Sequence, residues 1–180
     1  QEVMFAAGYQ VLLMSSNESA EKERENVRTL EQNRVDGIII SRTQETRDVT
    51  YLQELLGKRF PIVQFNRVSQ KIDTHKVIFD DYRWAYEATE HLIRQGYRRI
   101  YHLSGTASLI LSQSRRKGFL DALRANGLPY LNKQVIETGI FIDDGKRIAQ
   151  RLLEEDNVPE AFFCFNDPIA IGAMEVFKER

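Results

Sequence analysis

Asn166 is the residue whose type and position most directly suggest ligand chemistry. It follows a run of apolar residues with three phenylalanines at 161–165, which suits a strand buried on both faces of a parallel sheet. A helical pattern begins immediately afterwards. Asp167 is expected to cap that helix by accepting a free first-turn N–H, with Pro168 at the first helical position. Ala170, Ala173, Met174 and Phe177 then form its apolar stripe. Asn166 thus falls between the carboxyl end of a strand and a helix start, where open α/β sheets bind ligands. Its amide offers a donor and an acceptor to a hydroxyl-rich molecule. A merely capped turn would use the same residues, and this motif alone supports either reading.

Groups suited to catalysis are not brought together by the sequence. It contains neither a G-x-G-x-x-G dinucleotide fingerprint nor a G-x-x-x-x-G-K-[ST] phosphate loop. Gly105-Thr106 after a strand reads as a turn. His75, His91 and His102 fall in unrelated elements without a cysteine or carboxylate cluster at ligand spacing, and His91 lies on a helix flank. Cys164, the single cysteine, sits inside an apolar strand and reads as a packed thiol. No nucleophile–base pair can be argued, so no enzyme, cofactor or metal is expected.

Composition narrows the class further. Hydrophobic residues make up 42% and charged residues 28% of the 180, values ordinary for a globular protein. The formal net charge is -1 with both signs interleaved, so this segment by itself does not read as a nucleic-acid binder. There is no secretory leader and no apolar run of membrane-spanning length, and a single cysteine fits a reducing compartment. A cytoplasmic location and no membrane partner are the expectations.

These residues would be positioned by alternating strands and helices. Residues 1–7 read as the end of a helix stopped by Gly8, and 10–14 as a buried strand. Ser19 caps a helix through Arg34, whose Glu21/Arg24, Glu25/Arg28 and Glu31/Arg34 pairs support a solvated face. A strand at 37–40, a helix opened by Asp48 and ended by Gly57, and strands at 61–65 and 76–79 follow. From Asp80 the pattern begins again, with helices at 84–95, 112–126 and 143–155 and strands at 99–103, 134–138 and 161–165. AAGYQVLLMSS at 6–16 and RQGYRRIYHLS at 94–104 echo one another as helix, Gly-Tyr, strand, serine. The fold class is α/β: two similar Rossmann-like lobes with parallel sheets, at 1–79 and 80–180, with a cleft between them as the natural ligand site. Phe79 and Asp80 lie where the chain crosses, which makes them hinge candidates.

Six blocks in order carry a resemblance over essentially the whole chain: AAGYQVLLMSSNES, ENVRTLEQNRVDGIII, PIVQFNR, EATEHLIRQGYRRI, RRKGFLDALRANGL and FNDPIAIGAMEVF. The chain resembles the effector-binding domain of the LacI/GalR family of bacterial transcription regulators, of the type I periplasmic-binding-protein-like fold, incomplete at both ends. The resemblance implies a repressor-type regulator whose small effector, a sugar or nucleobase-like molecule, binds between the lobes. It also implies a homodimer and operator DNA contacted through a helix-turn-helix segment absent from this chain. Relative to the family, the first strand with its polar turn and everything beyond the helix ending at Arg180 are lacking. The rival reading is a solute-binding protein of a sugar transporter on the same fold.

Site residues follow from the same resemblance. Arg115, three residues before Gly118-Phe119, matches the effector-contacting arginine; its guanidinium can fork onto hydroxyls or a carboxylate. As a surface residue it would sit unfavourably near a helix start. Arg116 is expected to face solvent. Asn166 matches the asparagine that hydrogen-bonds the effector, and Phe163 a position able to stack on a ring, with core packing equally open. Asn66 stands where an aspartate is common, so a simple sugar-hydroxyl contact is not implied there, and Arg67 follows it. Leu109, Ile110 and Leu111 replace polar contacts, implying a less polar effector face or a loop that only packs. Ile140 or Phe141 could form a cleft wall or be buried core.

Overall fold

The computed structural model describes residues 2–129 and 131–179; Gln1 of the expected first helix and the terminal Arg180 lie outside the described residues. The chain divides into two compact units, Gln1–Ile78 and Phe79–Arg180. Each is α/β with a parallel sheet of three strands.

In the first unit, α1 (Glu2–Ala6) is followed by α2 (Ala20–Gln32), which starts where the Ser19 hydroxyl accepts the Lys22 N–H at 3.3 Å. Val27 of α2 shares a core with Ile38 and Ile40 of β1 (Ile38–Ile40), Leu52 and Leu55 of α3 (Thr50–Gly57), and Ile62 of β2 (Ile62–Phe65). β3 (His75–Val77) completes the order β1-β2-β3, with Ile38 opposite Ile62 and Val63 opposite His75. The strand period of two puts Ile38, Ile40 and Ile62 inside, while Ile39, Phe65 and Val77 lie exposed on the other face.

Several expectations for this unit are corrected. Residues 10–14 form no strand, and Val11, Leu12, Leu13 and Met14 are exposed. An apolar pattern specifies a strand only where a neighbour pairs its N–H and C=O groups, and this segment has no ladder partner among the described residues. The last strand is His75–Val77, so Phe79 is outside it. α3 begins at Thr50; the Asp48 carboxylate instead holds the Thr50 N–H at 3.0 Å and its hydroxyl at 2.6 Å, a local Asx-type turn. Two of the expected charge pairs on α2 are redirected between elements: Arg24 meets Asp48 at 3.5 Å and Glu31 meets Lys58 at 2.6 Å.

The second unit centres on β4 (Ile100–Ser104), all five residues of which are buried between β5 (Val135–Glu137) and β6 (Ala161–Cys164). Its two faces take different helices. Ile100, Ala161 and Phe163 pack with Ile93 of α4 (Asp81–Arg94) and Phe119 and Leu123 of α5 (Ile110–Ala125). Tyr101, Leu103, Phe162 and Cys164 pack with Ile148 and Leu152 of α6 (Ile142–Glu154) and Ile169 and Ala173 of α7 (Asp167–Lys178). α5 starts two residues earlier than the sequence suggests, because Leu109 and Leu111 are drawn into a small core with Ile140 and Phe165. Those leucines therefore pack, Ile140 is core, and Phe141 is exposed. The α7 cap is corrected by one residue: Asn166, not Asp167, accepts the Ile169 N–H at 3.0 Å, which moves Pro168 to the second helical position.

Candidate functional site

One cavity of about 430 Å³ lies within the second unit, lined by Asp81, Trp84 and Ala88 of α4, Arg115 of α5, and Phe163 and Phe165 at the carboxyl end of β6, among others. Arg115 is the best-anchored charge there. Its Nε donates to Asp81 Oδ1 at 2.8 Å, Nη2 lies 2.8 Å from the same oxygen, and Nη1 donates to the Phe165 carbonyl. The guanidinium carbon sits 4.9 Å from the centre of the Phe165 ring, a cation–π geometry. With Arg115 about a quarter and Asp81 about a sixth exposed, the pair is partly desolvated and held against a ring. Such an arrangement fixes a forked donor in the lining of an otherwise largely apolar pocket.

Asp81 went unnoticed in the sequence. It is the first residue of α4, where a carboxylate also complements the helix dipole. Its neighbour Asp80 is the helix cap, accepting the Arg83 N–H at 3.0 Å. The doublet Asp80-Asp81 was the available signal, but the partner stands 34 residues away and no spacing rule links the two.

Asn166 is not among the residues lining this cavity. Its amide is committed internally, Oδ1 to the α7 cap and Nδ2 donating to the Ile140 carbonyl at 3.0 Å. Phe163 does line the cavity, and its ring stacks on His102 with ring centres 4.7 Å apart. Arg116 is exposed.

His102 belongs to the core rather than to any site. It is fully buried between Phe119 and Phe163, and its Nδ1–H donates to the Phe163 carbonyl at 2.9 Å. Nε2 has no partner among the described residues. Burial, with Arg115 and Arg116 adding repulsion, lowers its pKa to about 4. Burial likewise raises the Cys164 thiol to about 11, so little thiolate exists near neutrality. Among the described residues no three His, Cys, Asp or Glu side chains form a metal-binding group, and no helix is long and apolar enough to cross a membrane.

The first unit places Asn66 and Arg67 just after β2. Asn66 is exposed with φ of 54°, and Arg67 makes a two-oxygen contact to Glu18 at 2.7 and 2.6 Å. Glu18 also accepts the Gln44 N–H at 2.9 Å, so Arg67 is tied into loop structure. Nearby, the buried Glu23 carboxylate accepts from the Thr43 N–H at 2.5 Å, the Thr46 hydroxyl at 2.9 Å and the Tyr51 hydroxyl. Burial and this bond push the Tyr51 pKa well up, and burial lowers that of Arg42 beside it. Glu23→Gln keeps the shape but turns one acceptor into a donor facing donors, so a loss of about 2 kcal/mol is expected in urea unfolding of the first unit. An unchanged midpoint would show the network to be dispensable.

Comparison with known proteins agrees with this architecture. The family described as periplasmic binding proteins and sugar binding domain of LacI family matches residues 1–180. The HTH-type transcriptional regulator DegA of Bacillus subtilis is 32% identical over 174 residues, covering 96% of this chain and 51% of the relative. The HTH-type transcriptional repressor PurR of Actinobacillus pleuropneumoniae is 29% identical over 180 residues, covering 100% of this chain and 53% of the relative. The chain therefore spans about half the length of the curated relatives it matches. Its fold is that of the transcription regulator CcpA of Lactococcus lactis, with a TM-score of 0.86 at 24% identity, covering 99% of this chain and 64% of that one. With the family match running over the whole chain, and with each of the two α/β units built on a parallel sheet, the chain belongs to the family of periplasmic binding proteins and LacI-type sugar-binding domains.

Proposed function

We propose that this chain is the effector-sensing part of a repressor-type transcription regulator. The observation carrying the reading is Arg115, a forked cation held by Asp81 and stacked on Phe165 in an otherwise apolar cavity. A sugar or related metabolite would take the remaining guanidinium N–H groups while its less polar face lies on the aromatic wall. The named relatives are regulators, which favours this reading over transport and over catalysis. In the intact protein, ligand binding would shift a conformational equilibrium that a homodimer passes to helix-turn-helix segments on operator DNA. Phe79, between Ile78 of the first unit and the α4 cap Asp80, would take up the backbone change in that shift, as hinge residues do. Asn166, Phe163, Asn66 and Arg67 are secondary candidates; Asn166 would have to exchange its bond to Ile140 for one to the ligand.

Arg115→Ala in the intact protein should weaken binding of its effector, found by a calorimetric screen of sugars and nucleobases, about tenfold or more. Arg115→Lys should recover little, since an ammonium cannot reproduce the fork. Equal affinity of all three proteins would remove Arg115 from the ligand site.

A further inference from the structure

We propose that Asp81 sets the charge of the ligand this cavity accepts. By neutralising Arg115 it selects an uncharged, hydroxyl-bearing molecule over its phosphorylated or carboxylated counterpart. This rests on the ligand role of the cavity put forward above.

The cavity lining carries two charges, Asp81 and Arg115, and they are in direct contact. Their sum is zero, and the other walls are aromatic or small, with Trp84, Ala88, Phe163 and Phe165 prominent. An arriving phosphate or carboxylate would lose hydration against those walls without meeting a net positive field, and would approach the Asp81 carboxylate at close range. A neutral hydroxyl meets no such opposition. Arg115 has five N–H groups, and its bonds to Asp81 and Phe165 engage one on each nitrogen. One N–H on Nη1 and one on Nη2 are left to donate to ligand oxygens. Both Arg115 contacts fall on Asp81 Oδ1, so Oδ2 keeps the capacity to accept a ligand hydroxyl proton. Donors and an acceptor side by side, with rings beneath, match a polyol with one apolar face. Asp81 acts partly through Arg115 and is in that respect a positioning residue; its distinct signature is selectivity.

The experiment is calorimetry on the intact protein with matched probes: fructose and fructose 1-phosphate, ribose and ribose 5-phosphate, glucose and glucose 6-phosphate, and inorganic phosphate alone. At least one free sugar should bind about tenfold or more tightly than its ester, and inorganic phosphate should be weak. Asp81→Asn, which keeps the shape and removes the charge, should shift the sugar-to-ester ratio by about tenfold towards the ester, and Asp81→Glu should restore it. A merely structural role for Asp81 would weaken both probes equally and leave the ratio unchanged. Esters bound as tightly as sugars by the unmodified protein, or a ratio unmoved in Asp81→Asn, overturn the inference while leaving the effector reading standing. Should Asp81→Asn not fold, the ratio in the unmodified protein decides alone. Failure of every probe to bind the unmodified protein removes the ligand reading, and this inference with it.

Discussion

Acidification from pH 6.5 to about pH 4 is expected to cost the second unit about 3 kcal/mol of stability through His102 alone. The imidazole is fully buried in the sheet core, stacked against Phe163 and beside Phe119. Among the described residues its one hydrogen bond goes to a carbonyl, so Nδ1 carries the proton and Nε2 is an acceptor without a partner. Adding a second proton would place a charge among aromatic rings near two arginines, and the folded pKa falls to about 4 from 6.5. Because the folded value is depressed, the unfolded chain binds the proton first as pH drops. The contribution is therefore complete above the unfolded pKa and is lost progressively down to the folded one. Urea unfolding at a series of pH values, followed by the single tryptophan Trp84, measures this directly. His102→Leu removes the titration and the orphan acceptor together, so its stability should fall less over the same window, by about the same 3 kcal/mol. Parallel pH curves for the two proteins would mean that a water or rearrangement satisfies the protonated ring.

The difference between His102 as read and as found shows where sequence patterning stops. Alternation and capping were legible because they are local: Ser19 caps α2, and apolar runs at 37–40, 61–65 and 161–165 became strands, whereas α4 starts three residues before the expected Trp84, with Asp80 as its cap. The 10–14 run carried an equally good apolar pattern and formed no strand, because pairing is non-local and nothing in five residues specifies the neighbour. His102 falls in the strand expected at 99–103 without any ligand cluster, and its place at the middle of β4 puts it in the fully buried part of the sheet. Asn166 was located correctly at the strand–helix junction. Its role as the cap was missed because Asn and Asp are both strong N-caps and adjacent positions cannot be separated by propensity.

The candidate site was legible in one half only. Arg115 and Phe163 come together at the cavity, while the partner that holds Arg115 was invisible. Asp81 meets it across two helices, and an ion pair between helices depends on how closely their axes approach. Glu18 and Glu23 pair at long range in the same way, accepting from loop N–H groups 20 or more residues away. Long-range polar pairing is a product of packing, and packing here is set by small residues that sequence reading passes over.

Gly118 is the clearest such residue, and Gly118→Ala should lower the stability of the second unit by about 3 kcal/mol. A Cβ at this position of α5 would lie 2.3 Å from the Tyr82 carbonyl oxygen, 2.9 Å from the Tyr86 nitrogen and 3.0 Å from the Ala85 Cβ. Two of these are α4 backbone atoms, which no rotamer change can move aside, so the helices must separate. Alanine is a better helix former than glycine by about 1 kcal/mol, and that gain opposes the clash without matching it. Gly57, at the end of α3, meets nothing within 4 Å and supplies the control: Gly57→Ala should be neutral or slightly stabilising. The consequence of Gly118→Ala reaches the site because Tyr82 is the residue after Asp81. Moving α4 outward at Tyr82 lengthens the 2.8 Å contact between Asp81 and Arg115, and the arginine loses its orientation and its neutralising partner together. Urea unfolding gives the first effect, and the sugar-to-ester affinity ratio in protein that still folds gives the second. A destabilised variant with an unchanged ratio would show that Asp81 follows Arg115 through side-chain adjustment, so that helix spacing governs stability without governing the site; a stabilised one would mean that α4 and α5 do not approach this closely.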